Sequence, residues 1–427
     1  MKPGRPLGLS ALVALVVANM LGAGVFTTSG FALGDLGSPG YVLLAWLVGG
    51  GLATCGALSY GALARLMPVS GGEYYFLSRA VHPLVGFIAG WVSLWAGFTG
   101  AIAFAAITFE AYVLPPAGAG YLPENVLATG AILAAALVHG VQLKWGVLAQ
   151  NLAVAAKLLF IGGIIAFALL ATDVASWDGV QAWRDNPAPR FSITDFALSL
   201  MWISFSYSGF NASVYVASEV VDPQRNVPRA MVLATFLITV LYLLLNGIFV
   251  FAPAPELIAD REDVAALAAS AVAGEDLARV MRAVIAIALF TSVSAMIMAG
   301  PRVYARMADD GLMPRVFGFT GEVPAAAVAL QAGLAVVVVW ISGLRELLSY
   351  LGFTLGLSTA VTVASLFVAV RARGPAPGRL AGYPWAPLIF VTMTLLFAGL
   401  AAISNPGEMV AAMFTIVAEG LVYYLSG

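Results

Sequence analysis

Charge is scarce in this chain: 10% of its 427 residues are Asp, Glu, Lys or Arg, against 61% hydrophobic residues. A soluble domain carries roughly a quarter charged residues, so a water-facing surface cannot be assembled from this composition. Cysteine is almost absent, and the single Cys55 excludes an intrachain disulfide. Two histidines, His82 and His139, are too few for a Cys/His metal site, so neither metal nor cofactor is expected. The net charge of −2 lacks the basic footprint of a nucleic-acid partner. An enzyme needs an acid/base or nucleophile set, whereas the ionisable inventory inside the apolar stretches is essentially Lys157.

What remains is hydrophobic length. Mean hydropathy is +0.95, and a transmembrane helix needs ~20 apolar residues. About twelve such stretches follow one another, at 8–34, 40–64, 83–114, 125–140, 147–171, 195–218, 229–253, 276–308, 323–342, 345–371, 384–403 and 406–425. The first is too long for the apolar core of a cleaved leader and lacks a small-residue cleavage site behind it, so it reads as a span. A β-barrel would need apolar/polar alternation over ~10 residues, and segments such as 232–250 and 326–341 are apolar on every face. The expected fold class is therefore an all-α integral membrane protein, one domain over 1–427, whose partners are the lipid bilayer and a small solute. Nothing in the sequence identifies an accessory subunit.

Short cytoplasmic loops concentrate Lys and Arg. With a cytoplasmic N-terminus, thirteen basic residues from Lys2 to Arg379 share that side and six, from Arg184 to Arg345, the other. Both termini are thus expected in the cytoplasm. The excess of arginine over lysine, with abundant Ala and Gly, points to a GC-rich bacterial source and so to its cytoplasmic membrane. Residues 68–82 leave the membrane, with Tyr74, Tyr75, Phe76 and Leu77 able to lie along its surface, while 172–194 and 254–275 read as the longest polar loops.

Two spans are interrupted. The first holds Gly22, Gly24 and Gly30 among Asn19, Thr27, Thr28 and Ser29; the sixth holds Ser204, Ser206, Ser208, Gly209, Asn211 and Ser213. Glycine costs about 1 kcal/mol against alanine inside a helix, and freed backbone at that depth must be buried in protein or line a cavity. Close packing through small residues accounts for either break singly. As a pair, at corresponding places of two halves, they mark a transporter's binding site. The layout fits a five-plus-five inverted repeat, 8–171 and 195–371, with two further helices at 384–425. A broken helix offers N–H groups to a carboxylate and carbonyls to an ammonium, the two poles of an amino acid.

At these residues the chain resembles the amino acid–polyamine–organocation superfamily, and within it amino acid permeases and L-type exchangers. The matching pieces are Gly22-Ala23-Gly24-Val25-Phe26, then Pro68-Val69-Ser70-Gly71-Gly72-Glu73-Tyr74. Phe205-Ser206-Tyr207-Ser208-Gly209-Phe210-Asn211 follows, with Glu219 and Asn226-Val227-Pro228-Arg229-Ala230, and last the run from Gly300 to Gly311. The resemblance implies a LeuT-type fold and amino acid transport. It implies substrate contacts from Gly22, Ala23, Gly24, Val25 and Phe26, and from Phe205, Tyr207, Ser208, Gly209 and Asn211. Ala23 departs from the serine of many relatives and removes one hydroxyl; backbone amides remain.

Lys157 reads two ways, as a snorkelling lysine or as an intramembrane functional cation. The resemblance implies that its ammonium takes the place of a sodium ion, bridging carbonyls near Gly22 and span-eight hydroxyls, with Thr291, Ser292 and Ser294 as candidates. Asn211 serves as a helix–helix hydrogen bond or a ligand contact; Phe205, Tyr207 and Phe26 as packing or gates. Glu219 is an interfacial ion-pair member, with Arg65, Arg79, Arg302 or Arg306, or part of a cytoplasmic gate. Glu110 reads as solvated at the end of span three. With no carboxylate in either break before Glu219, a neutral amino acid is the expected substrate. Cationic amino acids or polyamines, and a solute receptor on a transporter fold, are the alternatives. Two isolated breaks do not line the continuous pore of a channel.

Overall fold

The computed structural model describes residues 7–114, 122–140, 146–186, 189–309, 311, 313–318, 324–373 and 380–426. Lys2, Arg5, Lys144, Asp310 and Arg379 lie outside them. Among the described residues every extended element is helical, and the one β-like contact is a parallel bridge between Leu7 and Val220.

The first apolar stretch is two helices, α1 (Leu9–Met20) and α2 (Thr28–Leu36). After it come α3 (Pro39–Leu66), α4 (Gly72–Ala80), α5 (Pro83–Val92), a π-helical stretch at Ser93–Gly100, and α6 (Ala101–Val113). The chain continues through α7 (Val126–Gly140), α8 (Gly146–Ala171) and the short α9 (Asp178–Asp185) into α10 (Ile193–Ser206). A 310 segment, Ala212–Glu219, leads to α11 (Pro223–Phe251) and α12 (Pro255–Ile258). The long α13 (Val264–Asp309) is followed by α14 (Ala325–Ile341), α15 (Leu344–Arg373), α16 (Trp385–Ser404) and α17 (Pro406–Ser426). Among the described residues, six helical stretches are long and apolar enough to cross a membrane, and five shorter apolar helices accompany them.

Local chemistry sets the boundaries. Proline opens α3, α5 and α11 at the first turn, where its missing N–H costs nothing and its fixed φ suits the helix. His82 caps α5, its Nδ1 accepting the Leu84 N–H at 3.2 Å. Glu110 is not merely solvated: its two carboxylate oxygens accept the N–H groups of Asn125 (2.6 Å) and Ala128 (2.8 Å) and so cap α7. Freed N–H groups at a helix start demand such acceptors, which is why the acid sits at that level.

Two loops are more ordered than their polarity suggests. The stretch 254–275 is not one polar loop, because α13 begins at Val264 and reaches 309 with a break at Ala273 and Gly274. Val264, Ala265, Ala266, Ala268 and Ala269 are buried, and small alanines pack well enough to fold where few charges interrupt. Residues 172–194 likewise contain α9.

Packing divides the helices into two groups around a shared centre. In one, α3 lies along α11, α1 packs on α11, and α10 packs on α3. In the other, α6, α7, α13 and α14 pack on each other. Helices α15 and α16 cover α10. Both interrupted stretches belong to the first group.

Candidate functional site

The first interruption runs over residues 21–27. Helix α1 ends at Met20, a 310 turn spans Gly24–Phe26, and α2 begins at Thr28. Each of three carbonyls freed there meets a side chain from another helix. The Tyr242 hydroxyl of α11 lies 2.5 Å from the Met20 carbonyl, Tyr112 of α6 donates to Phe26 at 2.8 Å, and the Lys157 ammonium of α8 donates to Leu21. Backbone broken at membrane depth is tolerated under this condition, so three hydroxyl and ammonium donors specify where the helix stops.

The second interruption faces the first. Helix α10 ends at Ser206, Gly209 adopts φ +99°, and the 310 segment follows Asn211. A Cβ at Gly209 would come within 2.8 Å of the Asn19 carbonyl, and one at Gly24 within 2.4 Å of Ser206 Oγ. Both glycines therefore let two backbones touch, and Gly209 also holds a left-handed φ that other residues avoid. Thr28 Oγ1 and Ser206 Oγ lie 3.1 Å apart. Tyr242 reaches both breaks, its hydroxyl also lying 3.1 Å from the Ser206 carbonyl.

Residues 232–250 are thus not apolar on every face. Besides Tyr242 they hold buried Asn246, whose Oδ1 accepts from Ser29 Oγ at 2.6 Å; Ser29 in turn accepts from Trp46 Nε1 at 2.8 Å. Leaving a buried acceptor without its donor costs about 1–3 kcal/mol. Tyr242→Phe, which keeps the ring and strips the bridge, is expected to lower thermal stability in detergent by that order. A melting temperature unchanged from wild type would count against the bridging role.

A cavity of about 790 Å³ opens beside the second break. Its wall includes Phe205, Tyr207, Ser208, Gly209 and Asn211, together with Leu15 and Asn19 of α1 and Leu355, Gly356, Ser358 and Thr359 of α15. The π-helical stretch contributes Ser93, Gly97 and Phe98, fitting the frequent use of such bulges at functional sites. Gly22, Ala23, Gly24, Val25 and Phe26 are not part of this wall, and all but Gly22 are buried. Phe205 stacks edge-on to Phe104 at 5.3 Å. Tyr207 is 1% exposed and donates to the Trp46 carbonyl at 3.1 Å, so its hydroxyl is committed to packing while its ring edges the cavity.

Lys157 is 6% exposed, and its partner is the carbonyl of Leu21, one residue before Gly22. Thr291 and Ser292 on α13 turn back to the Ala288 carbonyl of their own helix, at 2.8 and 3.0 Å, and Ser294 lies half-buried on the same helix. Glu219 is exposed, and the backbone carries its defined contact: its carbonyl accepts the Leu7 N–H at 2.9 Å, and the Val221 N–H returns to the Leu7 carbonyl at 3.0 Å.

Glu73 is the residue that sequence reasoning missed. It lines the cavity from α4, and its carboxylate accepts from Tyr60 Oη at 3.0 Å, from Asn211 Nδ2 and from the Tyr215 hydroxyl. The absence of a carboxylate from both broken segments points to a pocket without one, whereas this carboxylate arrives from a helix outside the spans. Its signal was an acid directly after the Gly71-Gly72 pair. Arg302 of α13 also reaches the cavity, and one of its Nη groups donates to the Met298 carbonyl.

The opposite end is closed by charge. Arg345, at the start of α15, pairs with Asp35 of α2 and with Asp260 at 2.9 Å. Its guanidinium lies 5.1 Å from the Trp202 ring centroid and 5.8 Å from that of Phe31, within cation–π range. Nearby Asp263 is almost fully buried and held by Arg282 (2.6 Å) and Arg261 (3.0 Å).

Comparison with known proteins finds amino acid transporters. Human large neutral amino acids transporter small subunit 2 is 29% identical over 382 residues, covering 85% of this chain and 69% of its own length. Human Asc-type amino acid transporter 1 is 26% identical, covering 92% of this chain and 77% of itself. Mouse b(0,+)-type amino acid transporter 1 is 24% identical over 427 residues, covering 98% and 87%. Residues 7–423 match the amino acid permease family as a whole. With two touching helix breaks beside a central cavity, and a family match over nearly its full length, this chain belongs to the amino acid permease family, whose members are transporters and not enzymes.

Proposed function

We propose that the protein is a secondary transporter that carries a neutral amino acid through the central cavity, without sodium, by alternating access. The observation that carries this reading is the cavity walled by Phe205, Tyr207, Ser208, Gly209 and Asn211 and by Asn19 near the end of α1, beyond which the Leu21 carbonyl already holds the Lys157 ammonium. A fixed cation at those carbonyls leaves no task there for a sodium ion. In this reading the amides from Ser208 to Asn211 bind the substrate carboxylate, those from Gly22 to Phe26, which lie behind the present cavity wall, join them when the site closes, and Phe205 gates the pocket. Ser294 is the span-eight hydroxyl assigned to the Lys157 site.

In this reading twelve spans form two five-helix repeats, 8–171 and 195–371, and two added helices, with both termini cytoplasmic. The Arg345 ion pairs then seal the outer face while the cavity reaches Glu73 and Arg302 on the inner one, an inward-facing state. Glu219 is assigned to the inner gate, because its backbone link to Leu7 makes the inner ends of spans one and six move together. Rocking of the first helix group against the second completes the cycle.

Glu73 favours a second reading, transport of cationic amino acids, since a carboxylate in the wall attracts a cationic side chain. Against it, Tyr60, Asn211 and Tyr215 already donate to that carboxylate. Counterflow into vesicles loaded with unlabelled amino acids separates the two. With a neutral substrate, labelled Leu or Ala enters wild type, and Glu73→Gln retains entry with a loss of about tenfold, the low end for one rearranged hydrogen bond to a charged group. Preferred entry of labelled Arg or Lys, abolished in Glu73→Gln, would establish the cationic reading instead.

A further inference from the structure

We propose that Glu419, in the last helix, is the proton-binding site of the transport cycle. Its carboxyl is 3% exposed, and neither oxygen meets a hydrogen-bond donor among the described residues. An ionised carboxylate inside an apolar helix is costly unless a cation or N–H donor offsets it. Among the described residues, no cation or N–H donor reaches either oxygen. Helix α17 lies against α15, α5 and α16, and neither α5 nor α16 contains a titratable side chain.

From α15 the facing titratable group is Tyr350, whose hydroxyl is bonded to Thr415, one turn before Glu419, at 3.1 Å. Thr354 stands one turn along α15 from Tyr350, its hydroxyl buried. Arg345 and Glu346 stand at one end of α15, Arg371 and Arg373 at the other. On α17 itself, Glu408 lies at the start, and Tyr423 packs on Phe87. With these surroundings Glu419 is held neutral, and so carries a proton.

A cavity approaches it. A second cavity, about 390 Å³, is lined by Glu346 and Glu408 near the helix starts and by Tyr350 and Thr415 deeper in. Water there brings a proton to within one helical turn of Glu419, where it forms the carboxyl O–H; discharge to water on the other face regenerates the carboxylate once per cycle. Coupling runs through α15. That helix lines the central cavity with Leu355, Gly356, Ser358 and Thr359, carries Arg345 of the end-closing ion pairs, and packs on α17. A tilt of α15 that opens one face therefore changes the surroundings of Glu419 as well.

The coupling role rests on the transport reading, whereas the protonated carboxyl does not, and two measurements keep them apart. Infrared difference spectra of the protein in lipid, taken across a pH step, are compared between wild type and Glu419→Gln. A protonated-carboxyl C=O band present in wild type and missing from the variant is expected; the same band in both overturns the proposal. In vesicles free of amino acid, an imposed gradient of about one pH unit is expected to drive about tenfold accumulation in wild type, one unit being a factor of ten. Glu419→Gln should abolish that accumulation while keeping counterflow exchange, which shows that it has folded, and Glu419→Asp should restore it in part. Accumulation by Glu419→Gln equal to wild type overturns the proposal. If wild type carries no amino acid at all, the transport reading falls, and the infrared band alone decides whether Glu419 holds a proton.

Discussion

Lys157→Ala is expected to reduce amino acid uptake by about 30-fold, with the purified protein still monodisperse. The side chain is 6% exposed and donates to a carbonyl freed by the helix break. Removing it leaves the Leu21 carbonyl buried without a donor, which costs about 1–3 kcal/mol, and a middle value near 2 corresponds to a factor of about 30. It also removes the positive charge that balances the carbonyl ends of α1. The loss should be nearly as large in Lys157→Met, which keeps the length and apolar bulk of the stem, and smaller in Lys157→Arg. Initial rates of counterflow check this. A Lys157→Met protein at wild-type rate would mean that the lysine merely fills space.

Arg345→Ala is expected to unseal the end that Arg345 closes. One guanidinium joins α2 to α15 and to Asp260, and rests on two aromatic rings. A partly buried arginine shared between two carboxylates is worth more than an ordinary surface pair. If its contacts contribute about 1.4–3 kcal/mol, losing them moves the equilibrium between the two faces by roughly ten- to a hundredfold. A cysteine placed at Ser208, in a Cys55→Ala background, reports this directly. Its labelling by an impermeant thiol reagent added from outside should rise severalfold in Arg345→Ala and fall from inside. Unchanged labelling from both sides would show that the ion pairs do not govern access.

The features that could be read from the chain are those written in local composition. Apolar runs specify spans because a bilayer leaves no alternative for the backbone. The breaks were visible because Gly22, Gly24 and Gly209 sit among hydroxyls and an amide. Lys157 was visible because a cation that deep in an apolar run is costly and rarely there for packing alone. What escaped was set by convergence in space. Glu73 lies outside the spans, and only the fold brings it to Asn211, 138 residues away. Tyr242 and Asn246 sit in a run dominated by leucine and valine, where two polar residues on one buried face barely alter hydropathy. Glu110 finds its partners across a loop.

Two further misses share a cause. Glu419 was overlooked because an acid near the end of a final span resembles one at the membrane surface, and only packing reveals that neither oxygen is reached by a donor among the described residues. The early start of α13 was hidden because 254–275 mixes acids with alanines, and the alanines fold. In each case the deciding quantity is what surrounds a side chain, which neighbours in sequence do not supply.

The central claim is that the two helix breaks form an amino acid site in which Lys157 replaces a coupling sodium ion. Counterflow of a labelled neutral amino acid into preloaded proteoliposomes tests it most directly, with sodium fully replaced by choline. Saturable entry at the same rate with and without sodium, and reduced about 30-fold in Lys157→Ala, is the predicted result. Entry that occurs only when sodium is present would contradict the account.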